Sequence, residues 1–246
     1  MAELDALDVA DITDVAGGVT DVTDAVIATG NAHKLVELRA LLVDLPLRLH
    51  APSDLPAERQ FEGADETGTT FVANADLKAI HAARASGMLA IADDSGLEID
   101  ALGGRPGVRS ARYAGVDDDA DAANSAKLIA EARTAGLHEP LARFRCVVSI
   151  ARPDGTILCR GDGACEGVLI NEARGDSGFG YDPHFFVPEL GKTFAEVTSA
   201  EKNAISHRAR ALADLRTRLT DCLNDCRGDV AMDVATESAT GGEQRA

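Results

Sequence analysis

Short apolar runs alternate along this chain with stretches in which leucine or alanine recurs at helical spacing, a pattern that predicts strands interleaved with helices. Val26-Ile27-Ala28-Thr29 reads as a buried strand. A helix is expected from about Ala32 to Leu45, with Leu35, Leu38, Leu41, Leu42 and Leu45 on one broad face. Leu47–Ala51 is a candidate second strand, and an alanine-rich helix should run from about Thr69 to Ser86. Met88–Ala92 and Gly96–Leu102 read as two further strands, the second entering a Gly/Pro turn. Residues 119–135 suggest a third helix. Arg143–Ala151 and Thr156–Ile170 flank Pro153-Asp154-Gly155, a turn signal between strands. The last helix should start near Thr198, where Thr198 and Glu201 fit a capping box, and carry the stripe Ile205, Ala209, Leu212, Leu215, Leu219 and Leu223. Helices between strands, plus a central hairpin, predict an α/β fold on a mixed sheet.

The two ends break this pattern. Residues 1–24 hold seven acids and no lysine or arginine, and read as a solvated, disordered extension; their Asp-x-x-Asp spacing does not match a calcium loop. Residues 227–246 read as a flexible tail. One domain over 25–226 is the economical division of the 246 residues, with a second lobe on an extended sheet as the alternative. A net charge of −17 argues against broad binding to nucleic acid or anionic membrane. No apolar run is long enough to span a bilayer, and the acidic start does not resemble a signal peptide. The five cysteines contain no CxxC pair, and Cys222 with Cys226 supplies only two ligands, so free thiols in a reducing, cytoplasmic setting are expected.

Several familiar motifs fail on position. Gly191-Lys192-Thr193 ends like a phosphate loop, but Phe186 stands where its first glycine belongs; Gly178-Phe179-Gly180 begins like a dinucleotide fingerprint but reaches Pro183 at its last glycine position. Four other segments carry chemistry. Thr29-Gly30-Asn31-Ala32-His33-Lys34 joins a strand to a helix, and such a junction offers free amides and the positive helix end to phosphate, with Lys34 adding a full charge. Glu66 precedes a turn, and Asn74 and Lys78 then share a helix face. Asp93 and Asp94 follow an apolar strand, where carboxylates are costly to bury without a cation and where α/β sheets commonly bind ligands. Finally, Phe179 and Tyr181 lie in a glycine-rich turn suited to base stacking, and Lys202, His207 and Arg208 are donors for a base or phosphate. Each has a plainer reading as a capped helix, an Asp-rich turn, core aromatics or a solvated helix face. Three of the chain's five lysines nevertheless fall inside these segments, while nineteen arginines supply most other basic charge.

Taken together, ATGNAHK, ETGTTFVANADLKA, AIADDSGLEIDALGGRPGVRSARYAG, GFGYDPHFFVPELGKTFAE and EKNAISHRARAL resemble the inosine/xanthosine triphosphate pyrophosphatase family, in chain order over about residues 25–220. That resemblance implies an elongated mixed β-sheet flanked by helices, two lobes with a central substrate cleft, and a homodimer. It implies magnesium-dependent cleavage of deaminated purine nucleoside triphosphates (dITP, ITP, XTP) to monophosphate and pyrophosphate. Thr29, Gly30, Asn31, Ala32, His33 and Lys34 would then hold the phosphates, assisted by Lys78. Glu66 and Asp94 would bind magnesium, and Asp94 would orient or deprotonate water. Ser95 would contact substrate, and Phe179, Gly180, Tyr181, Asp182, Lys202, His207 and Arg208 would embrace the nucleoside. Two departures stand out: His33 where many relatives have glycine, and Ala73 where many have glutamate. The competing readings are a pyrophosphatase for modified pyrimidine or methylated nucleotides, and a nucleotide sensor that has lost turnover.

Overall fold

A computed structural model describes residues 23–45, 47–116 and 120–219. The acidic extension up to residue 22, the C-terminal tail and the Cys222/Cys226 pair lie outside the described residues. The strands are β1 (Thr23–Ile27), β2 (Leu47–His50), β3 (Leu89–Ile99), β4 (Arg105–Pro106), β5 (Leu141–Ala151), β6 (Ile157–Leu169), β7 (Phe185–Val187) and β8 (Lys192–Thr193). The helices are α1 (Ala32–Leu41), α2 (Phe71–Ser86), α3 (Ala120–Thr134), α4 (Ser199–Ile205) and α5 (residues 207–219). One sheet contains all the strands in the order β2-β1-β3-β5-β6-β7-β8, with β4 beside the far end of β3. β1 is parallel to β2 and β3, and every other pairing is antiparallel, so the sheet is mixed as expected.

On one face the long strands carry two separate cores. On β5 and β6, Cys146, Val148, Ile150 and Cys159 pack with α1 and α5, whereas Ala142, Phe144, Cys165 and Leu169 pack with α3 and the β7–β8 end. β3 spells out the division. Residues two apart on a strand share a face; Leu89 and Ile91 enter the first core and Leu97 and Ile99 the second, with Asp93 and Ser95 between them. The polar gap in an otherwise apolar stripe is where the two lobes part.

Three local expectations are corrected. β1 begins at Thr23, so Thr23 and Asp24, assigned to the acidic extension, belong to the sheet; Asp24 pairs with Arg48 and His50 of β2. The two strands expected at 88–92 and 96–102 are one strand, β3. Gly96, expected to open the second, lies inside β3 at a close approach, since a Cβ there would lie 2.4 Å from the Gly107 carbonyl oxygen and the Ser110 hydroxyl. The single helix expected from Thr198 is broken at Ser206, whose ψ of 157° is extended. The break lets the stripe change cores: Ile205 packs on the second, and Leu212, Leu215 and Leu219 on the first.

Local chemistry explains the helix starts. Asn31 caps α1 by accepting from the Lys34 amide at 3.1 Å, Thr70 caps α2 by accepting from Ala73, and Thr198 with Glu201 forms the expected capping box. Each cap contributes about 1 kcal/mol. Ala75, Ala79, Ala82 and Ala83 form the buried face of α2, and their small side chains let the helix lie close on the sheet.

Candidate active site

The site is built where β1 stops short. Its last paired residue, Ile27, sits opposite Ile91, and the Ala28 amide still donates to the Ile91 carbonyl at 2.8 Å. Beyond that point β3 keeps β5 on one side but has an open edge on the other, until β4 pairs with Glu98 and Ile99. Thr29, Gly30 and Asn31 cross this edge to α1. The Thr29 hydroxyl accepts from the Asn31 amide, and helix geometry leaves the first-turn amides of Ala32 and His33 without acceptors inside the helix.

Consecutive strand residues point to opposite faces. Asp93 therefore looks toward α1 and α5: its Oδ2 receives Lys34 Nζ at 3.0 Å, the Ser95 hydroxyl at 3.1 Å and Arg208 Nη2 at 3.4 Å. Its Oδ1 is buried with no partner. Burial pushes this carboxyl up, but Lys34, Arg208 and Lys78 outweigh it and hold it well below the usual carboxylate range. Asp94 looks toward α2. Lys78 Nζ lies 3.2 Å from Asp94 Oδ1 and 2.7 Å from Glu66 Oε1, while Asn74 Nδ2 donates to Asp94 Oδ2 at 3.1 Å. Arg112 completes the group, 2.6 Å from Glu66 Oε2. Burial raises the Asp94 carboxyl despite Lys78 and Asn74, with the Glu66 charge pushing the same way. At Glu66 burial also pushes upward, but Lys78 and Arg112 prevail and the carboxyl is lowered. The two acids flank one amine with different proton affinities.

At the other end, Asp182 Oδ2 receives the Phe179 amide at 2.9 Å and Lys202 Nζ at 2.8 Å. Lys202 also reaches Glu37 of α1 at 2.9 Å and stands 4.9 Å above the Phe179 ring. The other Glu37 oxygen pairs with Arg208. The Gly180 amide donates to Asp121, and Tyr181 is buried in the second core with its hydroxyl donating to the Ser110 carbonyl. Phe179 is thus the half-buried ring of the pair, and His33 stacks on it at 5.4 Å and 19°. His207 lies flat against Phe144 at 4.8 Å. Burial, reinforced by Arg208 and Lys202, drives its pKa well below the ordinary histidine value. Its Nδ1 and the Arg208 Nε are buried without partners.

These groups line two adjoining cavities. The larger, about 600 Å³, includes Thr29 to Ala32, Lys34, Glu66, Lys78 and Asp93 in its wall. The smaller, about 130 Å³, is walled by Asp94, Ser95, Phe179 to Asp182, Lys202, His207 and Arg208. Asn31, Lys34, Glu66 and Ala111 line both and form the neck, where Lys78 from the larger cavity and Asp94 from the smaller meet Glu66. Every residue expected at the site lines one cavity or the other except His33, which reaches the region through Phe179. Glu66 and Asp94, far apart in the chain, do converge. Among the described residues no three His, Cys, Asp or Glu side chains converge as a ready-made metal cage.

Sequence reasoning passed over Glu37, Asp121 and Arg112 as site residues, and used Asp93 and Asn74 only as neighbours. A signal existed for Glu37, which follows Lys34 by three residues and so shares its helix face. Its partner Arg208 is 171 residues away, and nothing local announces that pairing.

Fold and cleft define an α/β protein with a cleft between two lobes, cations at its narrow neck and a ring-lined recess beyond. The chain belongs to the Ham1 family, which it matches over residues 25–218. It is 50% identical over 190 residues to the dITP/XTP pyrophosphatase of Pectobacterium atrosepticum, spanning 76% of this chain and 93% of that one. To the dITP/XTP pyrophosphatase of Desulforamulus reducens it is 48% identical over 187 residues, 76% and 90% of the two chains. Among solved structures, a HAM1 protein from Coxiella burnetii superposes with a TM-score of 0.72 at 41% identity, covering 81% of this chain and 99% of that one. The nucleoside-triphosphatase, or dITP/XTP pyrophosphatase, of Mycobacterium abscessus gives 0.62 at 38% identity, covering 77% and 97%.

Proposed function

We propose that this chain hydrolyses dITP, ITP and XTP to the nucleoside monophosphate and pyrophosphate, removing deaminated purines from the nucleotide pool. The observation that carries the reading is the neck itself: two acids and one amine converge between a cation-lined cavity and a ring-lined recess, in a chain 50% identical over 190 residues to a dITP/XTP pyrophosphatase. The nucleoside occupies the smaller recess against Phe179, and the phosphates cross the neck onto the amides of α1. Lys34 and Lys78 neutralise charge that develops on the departing pyrophosphate. Asp94, whose burial raises its proton affinity, orients the attacking water and takes its proton.

The donor set fits magnesium. Glu66 and Asp94 already share one cation, the Lys78 amine, and magnesium is commonly held by one or two carboxylates together with substrate phosphates. Bound there, the ion would polarise phosphoryl oxygens and offset their charge. Base choice falls to His207 and Arg208. Hypoxanthine and xanthine present an oxygen acceptor at the position where adenine presents an amino donor, and an unmatched buried donor is costly. Resemblance to the family extends the proposal to a cytoplasmic homodimer. Incubation of dITP with enzyme and magnesium should yield dIMP and pyrophosphate in equal amounts. Release of orthophosphate and dIDP would overturn the reading.

A further inference from the structure

The larger cavity is wider than a pyrophosphate group requires. At about 600 Å³ it falls within the range of whole-ligand sites, about 300–1,000 Å³. Among the described residues its only lysines or arginines are Lys34 and Lys78, and both stand at the neck. Beyond them the wall offers Ala51, Pro52, Phe61 and Ala64, with Ser53 and His81 as polar side chains. A wall without fixed cations is poorly suited to further phosphates. An apolar wall bearing a half-buried aromatic ring suits a flat heterocycle.

Phe61 and His81 line this cavity together. His81 follows Lys78 by three residues and so lies on the same face of α2, one turn further along. Its Nε2 is 2.9 Å from the Glu62 carbonyl oxygen, which fixes the imidazole, and Phe61 meets it edge-on at 5.9 Å and 79°. The cleft thus has a ring-bearing recess at each end, Phe179 at one and Phe61 at the other, with the cationic neck between.

We infer that the wide end receives a second nucleoside, so that the enzyme also cleaves dinucleoside polyphosphates carrying a deaminated purine at one end. The inference rests on the pyrophosphatase reading above and extends its substrate class. The chemistry is unchanged. Water attacks the phosphorus attached to the hypoxanthine nucleoside, the bond from that phosphorus to its bridging oxygen breaks, and the remainder leaves as a nucleoside diphosphate. Diinosine triphosphate and one water therefore give IMP and IDP, with the water proton passing through Asp94 to solvent.

The test compares diinosine triphosphate with ITP on one preparation of the full chain with magnesium, following IMP and IDP by chromatography. The expected result is kcat/KM for the dinucleotide within about ten-fold of that for ITP. Base–aromatic stacking is strong enough that Phe61→Ala should lower the ratio of the two kcat/KM values at least about five-fold. His81→Ala, at an exposed helix position, should lower the same ratio and guards against a folding defect in the first variant. Cleavage of ITP without cleavage of the dinucleotide overturns the inference and leaves the pyrophosphatase reading standing. An equal fall for both substrates in both variants also overturns it, since the rings would then serve only the fold. If neither substrate is cleaved, the underlying reading fails and the inference with it.

Discussion

Asp93 and Asp94 are neighbours in β3, yet one binds Lys34 and Arg208 on the α1–α5 side of the sheet while the other binds Lys78 and Asn74 on the α2 side. Alternation along a strand assigns them different work. Asp93 is enclosed by cations and fixes Lys34 and Arg208, the groups proposed to grip the ligand. Asp94, beside Glu66 at the neck, keeps a raised proton affinity suited to a base.

Asp94→Asn keeps the shape and the Asn74 contact region but cannot accept a proton. Turnover of dITP should drop about 100- to 10,000-fold, with the thermal midpoint near that of the parent. Near-parental turnover in a folded variant would remove Asp94 from the chemistry.

Glu37 holds both Lys202 and Arg208, and Arg208 is almost wholly buried. Glu37→Ala leaves a buried guanidinium short of a counter-charge, a loss that costs about 3–5 kcal/mol in comparable settings. Urea denaturation should show that loss, and KM for ITP should rise as the recess loses its shape. An unchanged midpoint would mean that solvent replaces the contact.

Gly163 lies where α5 crosses β6. A Cβ there would stand 2.2 Å from the Ala211 amide nitrogen and 2.3 Å from the His207 carbonyl oxygen, so Gly163→Ala must push the helix away. A stability loss of about 1–3 kcal/mol or more is expected. Gly63→Ala meets nothing within 4 Å and should stay within about 0.5 kcal/mol of the parent.

His207 makes folding stability sensitive to acid. Unfolded, its imidazole takes a proton near pH 6.5, whereas burial, Arg208 and Lys202 keep it neutral in the folded chain. The unfolded state therefore binds more protons below pH 6.5, and stability must fall as pH falls through that range. The slope from this residue is at most about 1.4 kcal/mol per pH unit until its folded-state pKa is reached, and vanishes above pH 6.5. Denaturation of the parent and His207→Gln at pH 7.0 and 5.5 should show the smaller drop in the variant.

Much of the site was legible because it is made of short segments whose local chemistry is distinctive. The Asn31 cap, the Thr198–Glu201 box and the Asn74–Lys78 spacing depend on near neighbours, and all form as expected. Where the sequence misled, tertiary contact decided the outcome. Asp93-Asp94-Ser95 reads as a gap between two strands, yet β3 runs straight through it, with Gly107 and Ser110 packed close on Gly96. Ser206 does suit a helix start, and its hydroxyl accepts from the Ala209 amide, but the apolar stripe running through it reads as one continuous helix. The opposed aspects of Asp93 and Asp94 became readable only once both were known to lie inside one strand. Glu37 is half legible: its spacing from Lys34 places it on the same helix face, but its partners Lys202 and Arg208 come from the far end of the chain.

The central claim is recognition and cleavage of a deaminated purine triphosphate, and kcat/KM for ITP against ATP, read as pyrophosphate release with magnesium, tests it most directly. His207 and Arg208 carry buried unpartnered atoms beside the recess, so the 6-oxo base should be favoured by a factor on the order of 100 or more. Equal rates on the two nucleotides would contradict the account.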